Sequence, residues 1–228
     1  MWPATAAELV SLQHELAALA PPVWRPSGPR PLVAGCFVCF RRRQRGPGWA
    51  GEPAWAAAVL MLGDRRQAAS AVVSGRATAP YEPGLLALRE GRLLEAAVRA
   101  LPESPHVVLA NASGRDHPRG AGLALHLGAA LELPSMGVTD RPLLATGCEP
   151  GPRRGATSAL LLDHSEVARW LRTRSGARAI VVHSGWRTDL DTAVSVVLAS
   201  TRRARTPEPL RRARRAARQA RADATRPS

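Results

Sequence analysis

The stretch 105–141 constrains the fold more than any other part of the chain. It opens with an apolar run, 106–110, which is typical of a buried strand and ends at Asn111. A second apolar run, 136–139, ends at Asp140 and predicts another strand. A helical segment separates the two runs, so the strands should lie parallel in one sheet, as they do in α/β folds.

The helix between these strands has a start signal in the sequence. Asp116 offers a side-chain oxygen directly ahead of His117-Pro118, the arrangement of an N-cap followed by a proline in the first turn. The helix should continue to about Leu131. Because ligands collect at the carboxyl ends of parallel strands, Asn111 and Asp140 are expected to lie at a binding site.

The composition indicates a polyanionic partner. None of the 32 basic residues is a lysine, and the formal net charge is +14. Arginine binds phosphate through two parallel hydrogen bonds, and a charge this high attracts nucleic acid before any membrane surface. The arginine content also fits the amino-acid bias of a GC-rich genome, so the charge alone does not establish a function. DNA or RNA is the expected partner, and a membrane is not.

Cysteine usage and the N-terminal residues indicate a cytoplasmic protein. Three cysteines are too few for a disulfide framework and suit a reducing compartment. Cys36 and Cys39 have redox or zinc spacing, but they lie in a strand-like run, where positions three apart face opposite sides, so we expect core residues. Glu8, His14 and Glu15 interrupt the first apolar region, unlike a signal peptide. No apolar run reaches the roughly 18 residues of a membrane span.

Periodicity predicts one α/β domain over 1–204 and a basic C-terminal helix or tail over 205–228. Thr5 and Glu8 form a capping box for the first helix. Turns are expected at Gly63-Asp64, within an antiparallel meander, and at 41–48, which carries four arginines. Strands are predicted at 32–40, 54–62, 68–77, 158–162, 167–173 and 179–183, and helices at 6–19, 85–101, 189–200 and from 206 onward.

The C-terminal segment has two interpretations. Leu210, Ala213, Ala217 and Ala220 give its helix only a narrow apolar stripe, and most of its other residues are arginine. The segment is therefore either a phosphate-binding arm or a solvated, partly frayed helix. No residue decides the oligomeric state, and a monomer is favoured.

Glu90 lies on the face of the helix 85–101 that should contact the sheet. It is four residues from Leu86 and four from Leu94, and both leucines are expected to be buried. A buried carboxylate without a partner costs on the order of several kcal/mol. Either Arg89 or another cation pairs with Glu90, or Glu90 belongs to a functional site.

Four motifs resemble those of the endonuclease V family in order and approximate spacing. They are P-Y-E-P-G-L-L-A-L-R-E (80–90), G-R-D-H-P-R-G-A-G-L-A-L-H-L-G (114–128), L-P-S-M-G-V (133–138) and R-T-P-E-P-L-R (205–211). The resemblance covers nearly the whole chain and implies an RNase H-like fold, with a mixed central β-sheet flanked by helices. It also implies a Mg²⁺-dependent nuclease of DNA repair. Such an enzyme recognises deaminated purine, chiefly inosine, in DNA or RNA and cuts the strand one linkage beyond it.

The resemblance also assigns roles to individual residues. Catalysis would rest on Glu90, Asn111 and His117, with Glu90 and Asn111 as the metal ligands. The lesion and the nucleic-acid backbone would be contacted by Pro80, Tyr81, Pro83, Gly84, Gly114, Arg119 and Gly122. An aromatic ring such as that of Tyr81 can replace lost base stacking, at about 1–3 kcal/mol per base. The alternative for Tyr81 is a tyrosine packed in a turn.

Several family positions are altered in this chain. Phe37 stands where the family places a strand aspartate, and Asn111 replaces a second one. Asp140 occupies the position of a lysine, and Trp186 that of a histidine. A phenyl ring cannot bind a metal ion, and one carboxylate with one amide makes a poor Mg²⁺ site. The sequence therefore predicts a divergent family member with degraded active-site motifs, a pseudo-enzyme whose catalysis is lost or weak.

Two other functions stay open on the sequence alone. An active nuclease would need a rebuilt metal site, with ligands drawn from the acids near strand ends and helix starts: Asp116, Asp140, Asp189 and Asp191. Their simpler interpretation is as helix caps and solvated acids. The third possibility is a non-catalytic scaffold that binds a protein partner through the basic tail, or through Trp49 and Trp55 if these are exposed.

Overall fold

A computed structural model describes residues 2–28, 30–42, 46, 48–62 and 66–226 of the protein. The predicted turn at Gly63-Asp64 and part of the arginine turn at 41–48 lie outside the described residues. The strands are β1 Leu32–Phe40, β2 Pro53–Leu62, β3 Arg66–Arg76, β4 Val107–Ala110, β5 Ser135–Thr139, β6 Thr157–Leu162, β7 Ser165–Leu171 and β8 Ile180–Ser184. The helices are α1 Ala6–Ala18, α2 Leu86–Arg99, α3 Leu123–Leu131, α4 Leu190–Ala199 and α5 Glu208–Ala224.

These strands form one mixed sheet in the order β3-β2-β1-β4-β5-β8-β7-β6. β4 is parallel to both β1 and β5, so the strand-helix-strand prediction for 105–141 is confirmed. The other pairs are antiparallel, including the predicted β1-β2-β3 meander. Helices cover both faces of the sheet, which confirms the mixed α/β architecture.

β1 is buried on both faces because α2 packs on one face of the sheet and α5 on the other. Cys36 packs into the core beneath α2, whereas Phe37 and Cys39 face the opposite side, toward α5. The prediction that Cys36 and Cys39 are core residues on opposite sides is confirmed, and both are free thiols. The alternation of strand side chains explains this split.

α5 packs closely against β1. A Cβ atom at Gly35 would come 2.3 Å from the carbonyl carbon of Pro209, so only glycine permits this approach. Leu210, Ala213 and Ala217 are buried beneath the helix. The basic C-terminal segment is thus a regular helix over Glu208–Ala224, in which the first half packs on the sheet and the residues after Ala217 are mostly exposed. A phosphate-binding role for its arginines stays a prediction. The domain boundary at 204/205 stays a prediction.

The predicted start of the central helix is wrong. α3 begins at Leu123, and Asp116 does not cap it. The Asp116 carboxylate instead accepts hydrogen bonds from the backbone N–H groups of Leu143, Leu144 and Ala145, at 2.6, 2.8 and 2.9 Å. Gly120 has φ +66°, which a right-handed helix does not allow, so residues 114–122 form a loop.

The starts of α1 and α4 follow local signals. The N–H of Glu8 donates to Thr5 Oγ1 at 3.2 Å, so the predicted cap of α1 is confirmed. Asp189 caps α4 by accepting from the N–H of Thr192 at 2.8 Å. Within the described part of the chain, no helix has the length and apolar composition needed to cross a bilayer.

Candidate nucleic-acid site

A pocket of about 240 Å³ opens beyond the carboxyl ends of β4 and β5. Its walls include the segment that follows β4, the segment that follows β5, and the loop that precedes α2. Among the residues predicted to act in the site, it collects Tyr81, Pro83, Gly84, Asn111 and His117. Asp140 also lies beyond β5, but it is 64% exposed and its carboxylate pairs with Arg205 instead.

The loop that carries Tyr81 is fastened at one backbone atom. Gly84 has φ +78°, a conformation that favours glycine, and its carbonyl oxygen meets three side-chain donors. These are Gln13 Nε2 at 3.2 Å, His117 Nε2 at 3.2 Å and Arg119 Nη2 at 2.7 Å. Tyr81 itself is 46% exposed at the rim of the pocket, which disfavours a tyrosine buried in a turn.

His117 is held in one tautomer by two contacts. Its Nδ1 accepts from the N–H of Arg119 at 3.3 Å, so Nε2 carries the hydrogen that it donates to Gly84. Burial and the nearby Arg119 charge lower the pKa of His117 to about 4. The ring is therefore neutral at physiological pH and contributes an N–H donor to the pocket wall.

The three residues of the 114–122 loop that were predicted to contact phosphate, Gly114, Arg119 and Gly122, make contacts within the protein. Arg119 Nε donates to Gln13 Oε1 at 2.5 Å, in addition to the bond with Gly84. A Cβ atom at Gly114 would lie 2.0 Å from the carbonyl oxygen of Ser184, and one at Gly122 would lie 2.5 Å from that of Ser113. Close packing accounts for these glycines, and their contact with phosphate stays a prediction.

Glu90 is half-buried on α2, and Arg89 is not its partner. Arg89 forms a buried ion pair with Glu52, and its guanidinium also lies 4.0 Å from the centre of the Phe40 ring. No described side chain forms a hydrogen bond with the Glu90 carboxylate. Burial raises the pKa of Glu90 to about 7, although the Arg89 charge opposes this shift. Leu94 is buried as predicted, whereas Leu86 is only half-buried beside the pocket.

The carboxyl end of β4 meets α5 through an arginine that the sequence analysis did not single out. Arg214 Nη2 donates to Asn111 Oδ1 at 3.2 Å. The Arg214 guanidinium carbon lies 5.0 Å from the centre of the Phe37 ring, and that of Arg218 lies 6.0 Å from it. Two of the positions where the motifs lack an expected acid, Phe37 and Asn111, therefore contact the same cation.

Comparison with known proteins agrees with the motifs. The family model described as endonuclease V matches residues 25–215. The chain belongs to the endonuclease V family. It is 40% identical to endonuclease V of Streptomyces coelicolor, over 93% of this chain and 89% of that one.

Solved structures of the family have the same fold. The crystal structure of endonuclease V from Streptomyces avermitilis superposes with a TM-score of 0.86 at 38% identity, covering 99% of this chain and 96% of that one. Endonuclease V of Ciona intestinalis, in complex with a 24mer DNA containing an inosine, superposes with a TM-score of 0.76 at 21% identity, covering 96% and 98%. The RNase H-like fold predicted from the motifs is thus confirmed.

The side chains present do not fit the magnesium ion that the endonuclease V motifs imply. Phe37 offers no donor atom, and the single carbonyl oxygen of Asn111 already accepts from a guanidinium. Phe37 faces α5, whereas Glu90 lies on α2, which packs on the opposite face of β1. Among the described residues, no cluster of three or more His, Cys, Asp or Glu could hold a metal ion. Mg²⁺ prefers several carboxylate or water oxygens at near-octahedral positions.

The candidate replacement ligands are engaged elsewhere. Asp116 is saturated by three backbone N–H groups, and Asp140 pairs with Arg205. Asp189 pairs with Arg25, and Asp191 pairs with Arg169. The simpler interpretation as helix caps and solvated acids agrees with Asp189, which caps α4, and with the exposed Asp140 and Asp191. It is wrong for Asp116, which is buried and caps no helix.

Three tryptophans differ in their burial: Trp186, at an altered family position, and Trp49 and Trp55, which were considered as docking residues of a scaffold. Trp186 packs against Leu16 and Leu125, in the layer between α1 and α3. Trp55 is buried under α5, so it cannot serve as a docking residue, whereas Trp49 is 48% exposed.

Proposed function

We propose that this protein recognises deaminated purine, chiefly inosine, in DNA or RNA strands, and that its phosphodiester cleavage is lost or weak. Membership of the endonuclease V family supports the choice of substrate. The pocket supports it as well, because it combines an apolar wall with an exposed tyrosine at its rim, an arrangement that suits a base removed from its stack. The Ciona intestinalis relative is bound to DNA containing an inosine.

The contact between Arg214 and Asn111 is the observation that carries the proposed loss of catalysis. In-line hydrolysis of a phosphodiester by this family would require a divalent cation to polarise the phosphate and activate water. Here a guanidinium holds the one neutral oxygen that Asn111 offers, and Phe37 leaves the neighbouring position without any ligand. Glu90 alone is left as a carboxylate ligand. Mg²⁺, the cofactor that the family resemblance implies, is therefore poorly held by this chain.

The test is cleavage of end-labelled single strands that contain one inosine, in Mg²⁺ and in Mn²⁺, with a Glu90→Ala variant in parallel. Mn²⁺ tolerates imperfect ligand sets better than Mg²⁺ does. We expect no cut above the level of the Glu90→Ala variant in either ion. The same strands should bind more tightly than strands with adenine in place of inosine.

Two outcomes would contradict the proposal in different ways. Complete cleavage one linkage beyond inosine that disappears in Glu90→Ala would establish an active nuclease with a rebuilt site. Equal, weak affinity for all strands would remove the lesion-binding function and favour a protein-interaction scaffold.

A further inference from the structure

The arginines around the carboxyl end of β4 differ in how their charge is balanced. Arg205 is paired with Asp140, and Arg211 is paired with Glu208. Among the described residues, neither Arg214 nor Arg218 forms an ion pair with a carboxylate. The nearest side-chain partner of Arg214 is the neutral amide of Asn111. Within the described residues, two positive charges thus lie close together without an ion pair of their own, and the carboxylate that acts on Arg214 from a distance, Asp140, is already paired with Arg205.

Arg214 is also fixed in position. One face of its guanidinium lies over the Phe37 ring, and Nη2 is held by Asn111 Oδ1. An arginine that stacks on an aromatic ring loses little further conformational entropy when it binds a ligand. Its Nε is buried and has no partner among the described residues, so the hydrogen-bonding capacity of the group is not used up within the protein.

Asn111 links this cation to the pocket. The residue lines the pocket and at the same time accepts from Arg214. A strand that places a base in the pocket would therefore run its sugar-phosphate backbone past Asn111 toward Arg214. A phosphate oxygen of that backbone is the group that would pair with a guanidinium that has no carboxylate partner.

We infer that Arg214 is a built-in cation that binds a backbone phosphate where the family would use a divalent metal ion, so strand binding needs no metal. The inference rests on the proposed function, since it concerns the same bound strand. Phe37 supports the guanidinium from below, and Asn111 orients it. The absence of the two metal-binding acids and the presence of Arg214 are then linked. Two carboxylates beside Arg214 would neutralise its charge, and the guanidinium could no longer bind phosphate.

The experiment measures fluorescence anisotropy of a labelled single strand containing one inosine, once with EDTA and once with Mg²⁺ at equal ionic strength. For the wild type, the dissociation constants in the two buffers should agree within about twofold. Arg214→Gln should weaken binding in EDTA by about tenfold to a hundredfold, the range for one charged hydrogen-bonding contact. Arg215→Gln is the matched control, because it removes the same charge from an exposed neighbour on the same helix.

The control should change affinity by less than about threefold, and Arg214→Lys, which keeps the charge but not the planar fork, should fall between the two variants. Thermal melting of each variant verifies that the fold is intact.

A saturable gain in wild-type affinity of tenfold or more on adding Mg²⁺ would overturn the inference without reference to any variant. Equal affinities of Arg214→Gln and Arg215→Gln would also overturn it and leave the proposed function standing. A wild type that binds no strand in either buffer would contradict both.

Discussion

At the scale of single residues, the arginines of this protein differ in what surrounds their charge. Arg89 is 4% exposed and its partner Glu52 is 3% exposed, so their pair is sealed from solvent. Arg214 has an amide and an aromatic ring as neighbours, whereas Arg99 forms a pair on an exposed helix face. The same residue type therefore stabilises the core in one place and offers an anion site in another.

Removing the buried cation should destabilise the protein strongly. Arg89→Met leaves the Glu52 carboxylate buried without a counter-ion, so the free energy of unfolding should fall by about 3–5 kcal/mol. Arg99→Met is the control, since its pair with Glu95 is 57% exposed at the arginine and should contribute less than about 1 kcal/mol. Urea denaturation measures both. Equal losses in the two variants would show that burial of the Glu52 pair does not matter.

Glu90 should make stability depend on pH in a defined direction. Burial raises the pKa of Glu90 to about 7, whereas an unfolded glutamate has a pKa of about 4.3. Between these values the folded protein keeps a proton that the unfolded chain has lost, so the contribution of Glu90 to stability falls as pH rises through this window. Glu90→Gln removes this dependence.

The measurement compares the free energy of unfolding of the variant and the wild type at several pH values. The advantage of Glu90→Gln over the wild type should grow by up to about 3 kcal/mol from about pH 4 to about pH 8. A constant difference across this range would mean that the folded state leaves the pKa of the carboxyl unchanged. The difference isolates Glu90 because the histidines with lowered pKa values are common to both proteins.

At the scale of elements, most strands and helices could be predicted because their signals are local. The apolar run of β1, the apolar periodicity of α1 and the Thr5 cap need no distant partner. Asp116 misled the prediction because its N-cap signal is local, whereas the three N–H groups it binds lie 27 to 29 residues further along the chain. A side chain that closes a loop over that distance leaves no periodic signature.

The candidate site was predictable only in part for the same reason. The motifs gave Tyr81, Asn111 and His117, which the fold brings to one pocket. Arg214 lies four residues after Leu210, on the face of α5 that meets the sheet, and this spacing was the one available signal. Nothing local distinguishes it from the other arginines of α5, since its role depends on contact with Asn111, 103 residues earlier in the chain.

The Tyr81 loop should depend on its anchor at Gly84. Arg119→Met keeps the aliphatic stem but removes the bonds to Gly84 and Gln13, so the amides of Gly84 and Leu85 should exchange hydrogen about tenfold faster. Arg115→Met is the control, because Arg115 lies in the same loop but donates to the carbonyls of Ala17 and Leu19. Hydrogen-exchange mass spectrometry resolves the segment. Unchanged exchange in Arg119→Met would mean that His117 and Gln13 are sufficient.

At the scale of the whole molecule, the net charge of +14 and the pocket should control different properties of binding. Phosphate contacts release counter-ions whatever the base sequence, whereas discrimination of inosine depends on the pocket. The logarithm of the affinity should fall linearly with the logarithm of salt concentration, by about 0.7 per phosphate contacted. Preference for inosine over adenine should stay constant over the same range.

Binding titrations at several salt concentrations test this separation. Arg214→Gln should reduce the slope by nearly one phosphate contact, and Tyr81→Ala should reduce the affinity without changing the slope. A wild-type affinity that does not respond to salt would contradict the assignment of a nucleic-acid partner. A change in the salt slope of Tyr81→Ala would indicate that the Tyr81 loop contacts a phosphate.

The bond between Gln13 and Gly84 joins the first helix of the chain to the pocket. Gln13 is 1% exposed, lines the pocket, and also receives Arg119 Nε. The family match begins only at residue 25, after this helix has ended. The pocket therefore depends on a helix that lies outside the residues matched by the family model. Substitutions in the first helix would therefore alter how firmly Gly84 and Arg119 are held while all four motifs stayed unchanged.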